Sequence, residues 1–135
     1  MRFQNIILEM IATGVALDAT AERLCYEIEA LLPGVACSVL RVERGGLLYP
    51  LAAPSLPDEF SKLVKGTMIG PNVGSCGSAA YLREPVTVTD IETDPRWSAF
   101  KPLIVEAGFK ACWSVPIYNT EGVVFGTFAL YFKQE

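Results

Sequence analysis

The chain has 135 residues, 51% of them hydrophobic and 19% charged, with a net charge of −4 and no histidine. That is the composition of one packed domain around a single core, with no basic cluster to favour nucleic acid and no apolar run of the roughly 18 residues a membrane span needs. The missing histidine removes the commonest metal ligand, the usual haem ligand and every catalytic arrangement that pairs a nucleophile with imidazole.

At the N-terminus, MRFQNIILEM carries Glu9 inside its apolar part and lacks a small-residue cleavage pattern, so the reading places the chain in the cytoplasm, without direct membrane insertion. Phe3, Ile6, Ile7, Met10 and Ile11 form a helical stripe over residues 2–13, interrupted at Gly14. Phe3, Ile7, Met10 and Gly14 also fit a coiled-coil spacing. The segment is expected either to pair with its copy in a parallel homodimer or to fold back on its own sheet. A second helix is predicted from about Asp18, as N-cap, to Leu32, with Ala21, Leu24, Cys25, Ile28, Leu31 and Leu32 on one side and Pro33-Gly34 ending it.

Strands are predicted over Ala36 to Glu43 and Leu47 to Ala53, joined by the hairpin signal Arg44-Gly45-Gly46, and a short helix over Asp58 to Lys65. The most informative stretch follows, Ile69 to Trp97. Gly70, Pro71, Asn72 and Gly74 form a turn, and Ser75 to Ala80 open a closely packed helix that runs to about Arg83. The free N–H groups at such a start suit a pocket wall. The β-branched run after Pro85 predicts a strand to Asp90, and Phe100 to Gly108 a short helix. Ala111 to Tyr118 and Val123 to Phe132 are apolar at consecutive positions, as strands covered on both faces are, and should pair antiparallel around residues 119–122.

Leu32-Pro33-Gly34 before Ala36-Cys37-Ser38, Gly74-Ser75-Cys76-Gly77, Pro85 to Ile91, Asp94-Pro95-Arg96-Trp97, and Val115-Pro116-Ile117 with Gly126-Thr127-Phe128 together resemble the GAF domains of bacterial sensory proteins, over essentially the whole chain. The resemblance implies an α+β three-layer sandwich: a central six-stranded antiparallel sheet, an N-terminal helix pair on one face, and short helices and loops enclosing a pocket on the other. Residues 1–135 form one domain, with the N-terminal helices in 1–32 and the sheet and pocket region in 36–132. It further implies a non-catalytic sensory or regulatory module that binds an unidentified small molecule and controls adjacent signalling domains, among them histidine kinases and enzymes of cyclic-di-GMP synthesis or hydrolysis. The Asn-Lys-Phe-Asp-Glu set of cyclic-nucleotide GAF domains and the histidines of bilin and haem GAF domains are absent, so the cofactor is unknown.

Cys76 is the residue with the most chemistry in prospect, because a thiol at a helix start can gain thiolate character. Without a neighbouring base or cation, a small packing residue is the competing reading, and the one favoured. Free methionine-(R)-sulfoxide reductases are GAF domains that use pocket cysteines, and Cys76 sits where one of them lies. Yet Asp94 to Phe100, the region that would supply that family's catalytic cysteine, contains none, so the reductase is an alternative only, beside a structural dimerisation domain without ligand. Cys25, Cys37 and Cys112 show no metal-ligand spacing. Trp97, Phe100 and Trp113 could line an apolar cavity or fill the core, and Asp90 could orient a ligand or make a turn, the turn being favoured. The glycines from Gly70 to Gly77 lack the lysine of a phosphate loop and read as turn devices. The expected ligand-binding set is therefore Ser75, Cys76, Gly77, Asp90, Trp97, Phe100 and Trp113, with no catalytic and no metal-binding residue.

Overall fold

A computed structural model describes residues 17–43, 45–118 and 120–133. The expected helix over residues 2–13, with its dimer surface, lies outside them. Described elements are, in order, α1 (Leu17–Leu31), β1 (Ala36–Glu43), β2 (Leu47–Ala52), α2 (Asp58–Val64), α3 (Gly74–Leu82), β3 (Val86–Val88), a 3-10 turn (Pro95–Trp97), α4 (Lys101–Glu106), β4 (Ala111–Tyr118) and β5 (Val124–Phe132). The strands form one antiparallel sheet in the order β2-β1-β5-β4-β3. Asp18 falls inside α1 instead of capping it.

Five strands stand where the resemblance implied six. Beside β2, the candidate for a sixth is reduced to an isolated bridge between Met68 and Leu47, with backbone bonds from Leu48 N to Thr67 O, Gly66 N to Leu48 O and Ile69 N to Gly46 O. Gly66 at φ 80° before this segment and Gly70-Pro71 after it break the extended backbone too soon for a strand. β3 is likewise shorter than the predicted Pro85 to Asp90. Pro85 has no N–H to give the ladder, and Asp90 bends the chain by accepting from Glu92 N at 3.2 Å and the Thr93 hydroxyl at 3.0 Å.

The period-2 pleat sorts the consecutive apolar residues of β1, β4 and β5 into two cores. On one face, Cys37, Val39, Ile117, Phe128 and Leu130 pack with Ala21, Leu24, Cys25 and Ile28 of α1. On the other, Ala36, Leu40, Cys112, Ala129 and Tyr131 pack under α2, α3, the 3-10 turn and α4. Such burial contributes about 25 cal/mol per Å² of apolar surface removed from water, which makes these two layers the main stabilising term. At Gly126 of β5 a Cβ would stand 2.8 Å from the Leu40 carbonyl oxygen, so the β1–β5 pair can close only over a glycine there. No helix among the described residues is long and apolar enough to cross a membrane.

Candidate functional site

α3 carries the centre of the site. Gly74 through Ala80 are all buried, which only a run of glycine, serine, cysteine and alanine permits so near a sheet. Its start has no side-chain cap, and Gly74 adopts φ 60°. A Cβ at Gly74 would stand 3.7 Å from the Trp97 ring, so an aromatic face covers the opening of this helix. At its far end Arg83 takes a left-handed conformation, donates from its guanidinium to Gly122 O, and accepts at its own carbonyl from the Tyr118 hydroxyl. These two bonds fix α3 to β4 and the β4–β5 turn.

Between α3, α2 and the sheet lies a cavity lined by Leu40, Leu48, Phe60, Val64, Val73, Gly74, Ser75, Cys76, Gly77, Trp97, Phe100 and Tyr131. None of these side chains is charged. Space for the centres of water-sized molecules amounts to ≈ 20 Å³, enough for about one water. Aromatic rings take up the rest. Trp97 stacks on Phe60 at 5.8 Å and 20°, and meets Phe100 and Tyr131 edge-on at 6.5 Å and 6.1 Å. Its Nε1 donates to Ser75 Oγ at 2.9 Å, which satisfies the indole in a site where Trp97 is only 1% exposed.

Beneath α3 a small polar patch interrupts the apolar floor. Ser114 Oγ lies 3.4 Å from Cys76 Sγ and 3.8 Å from Cys112 Sγ, and the Ser38 hydroxyl donates to the Tyr131 oxygen at 3.3 Å. Burial pushes the Cys76 thiol up from its ordinary value, and the contact with Ser114 opposes that shift without reversing it. Burial likewise raises Cys112 and Tyr131. Cys37, on the α1 face, is raised by the hydrogen bond with Cys25 and by burial. Desolvation therefore prevails over the helix start at Cys76, which is held as a neutral thiol.

Of the seven residues singled out from sequence, Ser75, Cys76, Gly77, Trp97 and Phe100 come together at this cavity. Two do not. Asp90 lies in a separate surface recess with Glu92, Val105, Gly108, Phe109 and Lys110, its carboxylate occupied in the turn it makes. Trp113 points to the α1 face of the sheet, because its strand neighbours Cys112 and Ser114 point toward α3. Sequence reasoning missed Phe60, Tyr131, Leu48 and Val73. The sole signal for Phe60 and Tyr131 was their aromatic character, and nothing local distinguished Leu48 from other strand residues. No group of three or more Cys, Asp or Glu among the described residues is placed to hold a metal ion.

The GAF domain family model matches residues 16–135. The chain belongs to the GAF domain family. Over 132 residues it is 35% identical to the methyl sulfide methyltransferase-associated sensor of Methanosarcina acetivorans, covering 97% of this chain but 13% of that much longer relative. Among solved structures, the GAF domain of the Acinetobacter phosphoenolpyruvate-protein phosphotransferase superposes with a TM-score of 0.69 at 16% identity, over 97% of this chain and 75% of that one. The free methionine-R-sulfoxide reductase of Neisseria meningitidis superposes with a TM-score of 0.67 at 16% identity, over 95% and 70% of the two chains. At such identities the likeness is one of fold. Sensor and reductase thus share this GAF scaffold, and the residues at the cavity must distinguish them.

Proposed function

We propose that this GAF domain is a non-catalytic sensory module of a cytoplasmic signalling protein, in which a small molecule bound between α3 and the sheet controls an attached output domain. One observation carries the reading: the domain holds an uncharged, aromatic-lined cavity whose one thiol, Cys76, has a raised pKa and no base beside it. A reductase needs a reactive thiolate, whereas the 94–100 segment, where the family's catalytic cysteine would stand, has no cysteine, and burial raises both thiols at Ser114, Cys76 and Cys112. The sensor relative, similar across 97% of this chain, supports the same reading. The output, for which a histidine kinase or an enzyme of cyclic-di-GMP synthesis or hydrolysis is the expected type, belongs to a neighbouring domain.

The experiment is native mass spectrometry of the freshly purified chain, followed by a thermal-shift screen of small molecules. A bound or co-purified species that raises the melting temperature by mass action supports the sensory reading. If no compound of any class does so, the domain is a structural one. Turnover of free methionine sulfoxide with a thiol reductant, lost in Cys76→Ser, would establish the reductase instead. The reading includes a homodimer built on Phe3, Ile7, Met10 and Ile11, through which a change at the cavity would reach both partners. Ile7→Asp with Met10→Asp should halve the light-scattering mass of a dimeric native chain. An unchanged mass removes that part of the reading.

A further inference from the structure

We propose that Trp97 is a displaceable plug, and that the molecule taken by this cavity is a neutral, flat, indole-sized ring system with a hydrogen-bond donor, which binds where the Trp97 ring now sits. The inference rests on reading the cavity as the sensory site, and adds to it the ligand class and the means of gating.

Three observations point the same way. The indole is held as a ligand would be, stacked on Phe60, edged by Phe100 and Tyr131, and oriented by one hydrogen bond to Ser75 Oγ. The ≈ 20 Å³ left beside it admits nothing larger than about a water, so a larger molecule enters only if a side chain leaves. The segment that carries Trp97 is also joined to the rest of the wall by few polar bonds. Main-chain bonds of residues 92–100 close within the 90–101 stretch: Asp94 N to Asp90 O, Trp97 N to Asp94 O, Ser98 N to Pro95 O and Phe100 N to Trp97 O. Side-chain bonds there do the same, Arg96 N and Nη1 going to Asp94 and Lys101 Nζ to Glu92 O.

Among the described residues, Trp97 Nε1 to Ser75 Oγ is the side-chain hydrogen bond that joins residues 90–101 to α3. Ile91 N on Lys110 O anchors one side, and α4 the other. Between those anchors the segment can swing as a unit without breaking a backbone hydrogen bond to the sheet or to α3. A molecule that restores the stacking and the bond to Ser75 replaces what the plug gives up. A charged molecule does not, because nothing lining the cavity pairs with it. Binding and release of Trp97 are then one equilibrium, and the affinity of the intact chain is reduced by the fraction of time the plug is in place.

The test uses indole and benzothiophene, its isostere without an N–H. In a Trp113→Phe chain labelled with 5-fluorotryptophan, Trp97 gives a single fluorine resonance. Indole should produce a second resonance, at the position of solvent-exposed fluorotryptophan, which grows with concentration. Benzothiophene should need about tenfold more, the equivalent of one hydrogen bond, and Ser75→Ala should erase that difference. Trp97→Gly should bind indole at least about tenfold more tightly than the intact chain, because the competing ring is gone. A resonance of Trp97 that stays unmoved while indole binds by saturation-transfer NMR overturns the plug, yet leaves a sensory cavity standing. Indole that fails to bind either the intact chain or a folded Trp97→Gly overturns the ligand class. Should Trp97→Gly not fold, the fluorine experiment on the intact site decides alone.

Discussion

A Cβ placed on Gly77 would stand 2.6 Å from Val73 Cβ and 2.7 Å from Val73 Cγ1, so the first turn of α3 closes on the residue before it only because position 77 has no side chain. This contact gives Gly77 a packing role at the cavity wall that needs no ligand. Gly77→Ala gains about 1 kcal/mol of helix propensity but must push Val73 or the helix aside. The clash should win, with a net loss of about 1–3 kcal/mol by urea unfolding. Val73→Ala should restore part of it, since Cγ1 leaves while Cβ remains. A Gly77→Ala chain as stable as the original would show that α3 shifts freely on the sheet.

Ser75 and Trp97 form a second coupled pair. Burying an indole stabilises by about 4–6 kcal/mol at ordinary area coefficients, and that gain requires its N–H to find a partner. Ser75→Ala leaves Trp97 Nε1 without one in the cavity and should cost about 1–3 kcal/mol. In a Trp97→Phe background, with no N–H to satisfy, the same change should cost well under 1 kcal/mol, a non-additivity that a double-mutant cycle measures directly. Equal costs in both backgrounds would mean that the hydrogen bond contributes nothing.

Much of this fold can be read from the residues, and the reason lies in the strands. The bounds of β1 and β4 coincide with the apolar runs Ala36 to Glu43 and Ala111 to Tyr118, because their ends are marked by Pro33-Gly34, Gly108 and residues 119–122. The residues themselves suggest five strands; the sixth came from the resemblance, and a glycine on either side of Met68 accounts for its reduction to a bridge. What could not be read is which face a residue takes. Cys112, Trp113 and Ser114 are consecutive in a strand covered on both sides, so hydrophobicity carries no parity signal, and Trp113, though a weaker cavity candidate than the loop residue Trp97, stays in the expected set. Tyr131 was hidden for the same reason. Asp90 was a matter of competition: a carboxylate two residues before a free N–H satisfies itself locally before it can serve a ligand.

Arg83 is the one non-glycine residue with positive φ among those described, at φ 61° and ψ 36°. A left-handed conformation costs an ordinary residue about 1–2 kcal/mol, which the guanidinium contact with Gly122 O helps to offset. Arg83→Ala keeps the strain and loses the contact, so it should destabilise by about 1 kcal/mol. Arg83→Gly loses the contact and the strain together and should lie near zero. This order, glycine better than alanine, reverses the usual helix ranking and can be read from two melting curves. Alanine equal to or better than glycine would place residue 83 in an ordinary helical conformation.

The buried thiols and Tyr131 give the domain an alkaline limit. Cys76 and Cys112 are raised by burial above the ordinary 9.0, Tyr131 by burial above 10.0, and Cys37 is raised by its bond with Cys25 and by burial. As pH rises past about 9 the unfolded chain loses these protons while the folded chain keeps them, so the folded state binds more protons and loses stability with each further unit. Below pH 9 the contribution is intact. Each group adds a slope of about 1.4 kcal/mol per pH unit, so three thiols alone give about 4 kcal/mol per unit between pH 9 and their folded values. Melting temperature, measured with a reductant present, should be level from pH 7 to about 8.5 and fall steeply from pH 9 upward. Cys76→Ala with Cys112→Ala should remove about two thirds of the thiol slope, and Cys37→Ala the remainder. Thiolate absorbance follows the same logic, with Cys76 silent at neutral pH in the folded chain. A thiolate at Cys76 below pH 8, or a melting curve indifferent to all three substitutions, would reverse the assignment and return that cysteine to the list of nucleophiles.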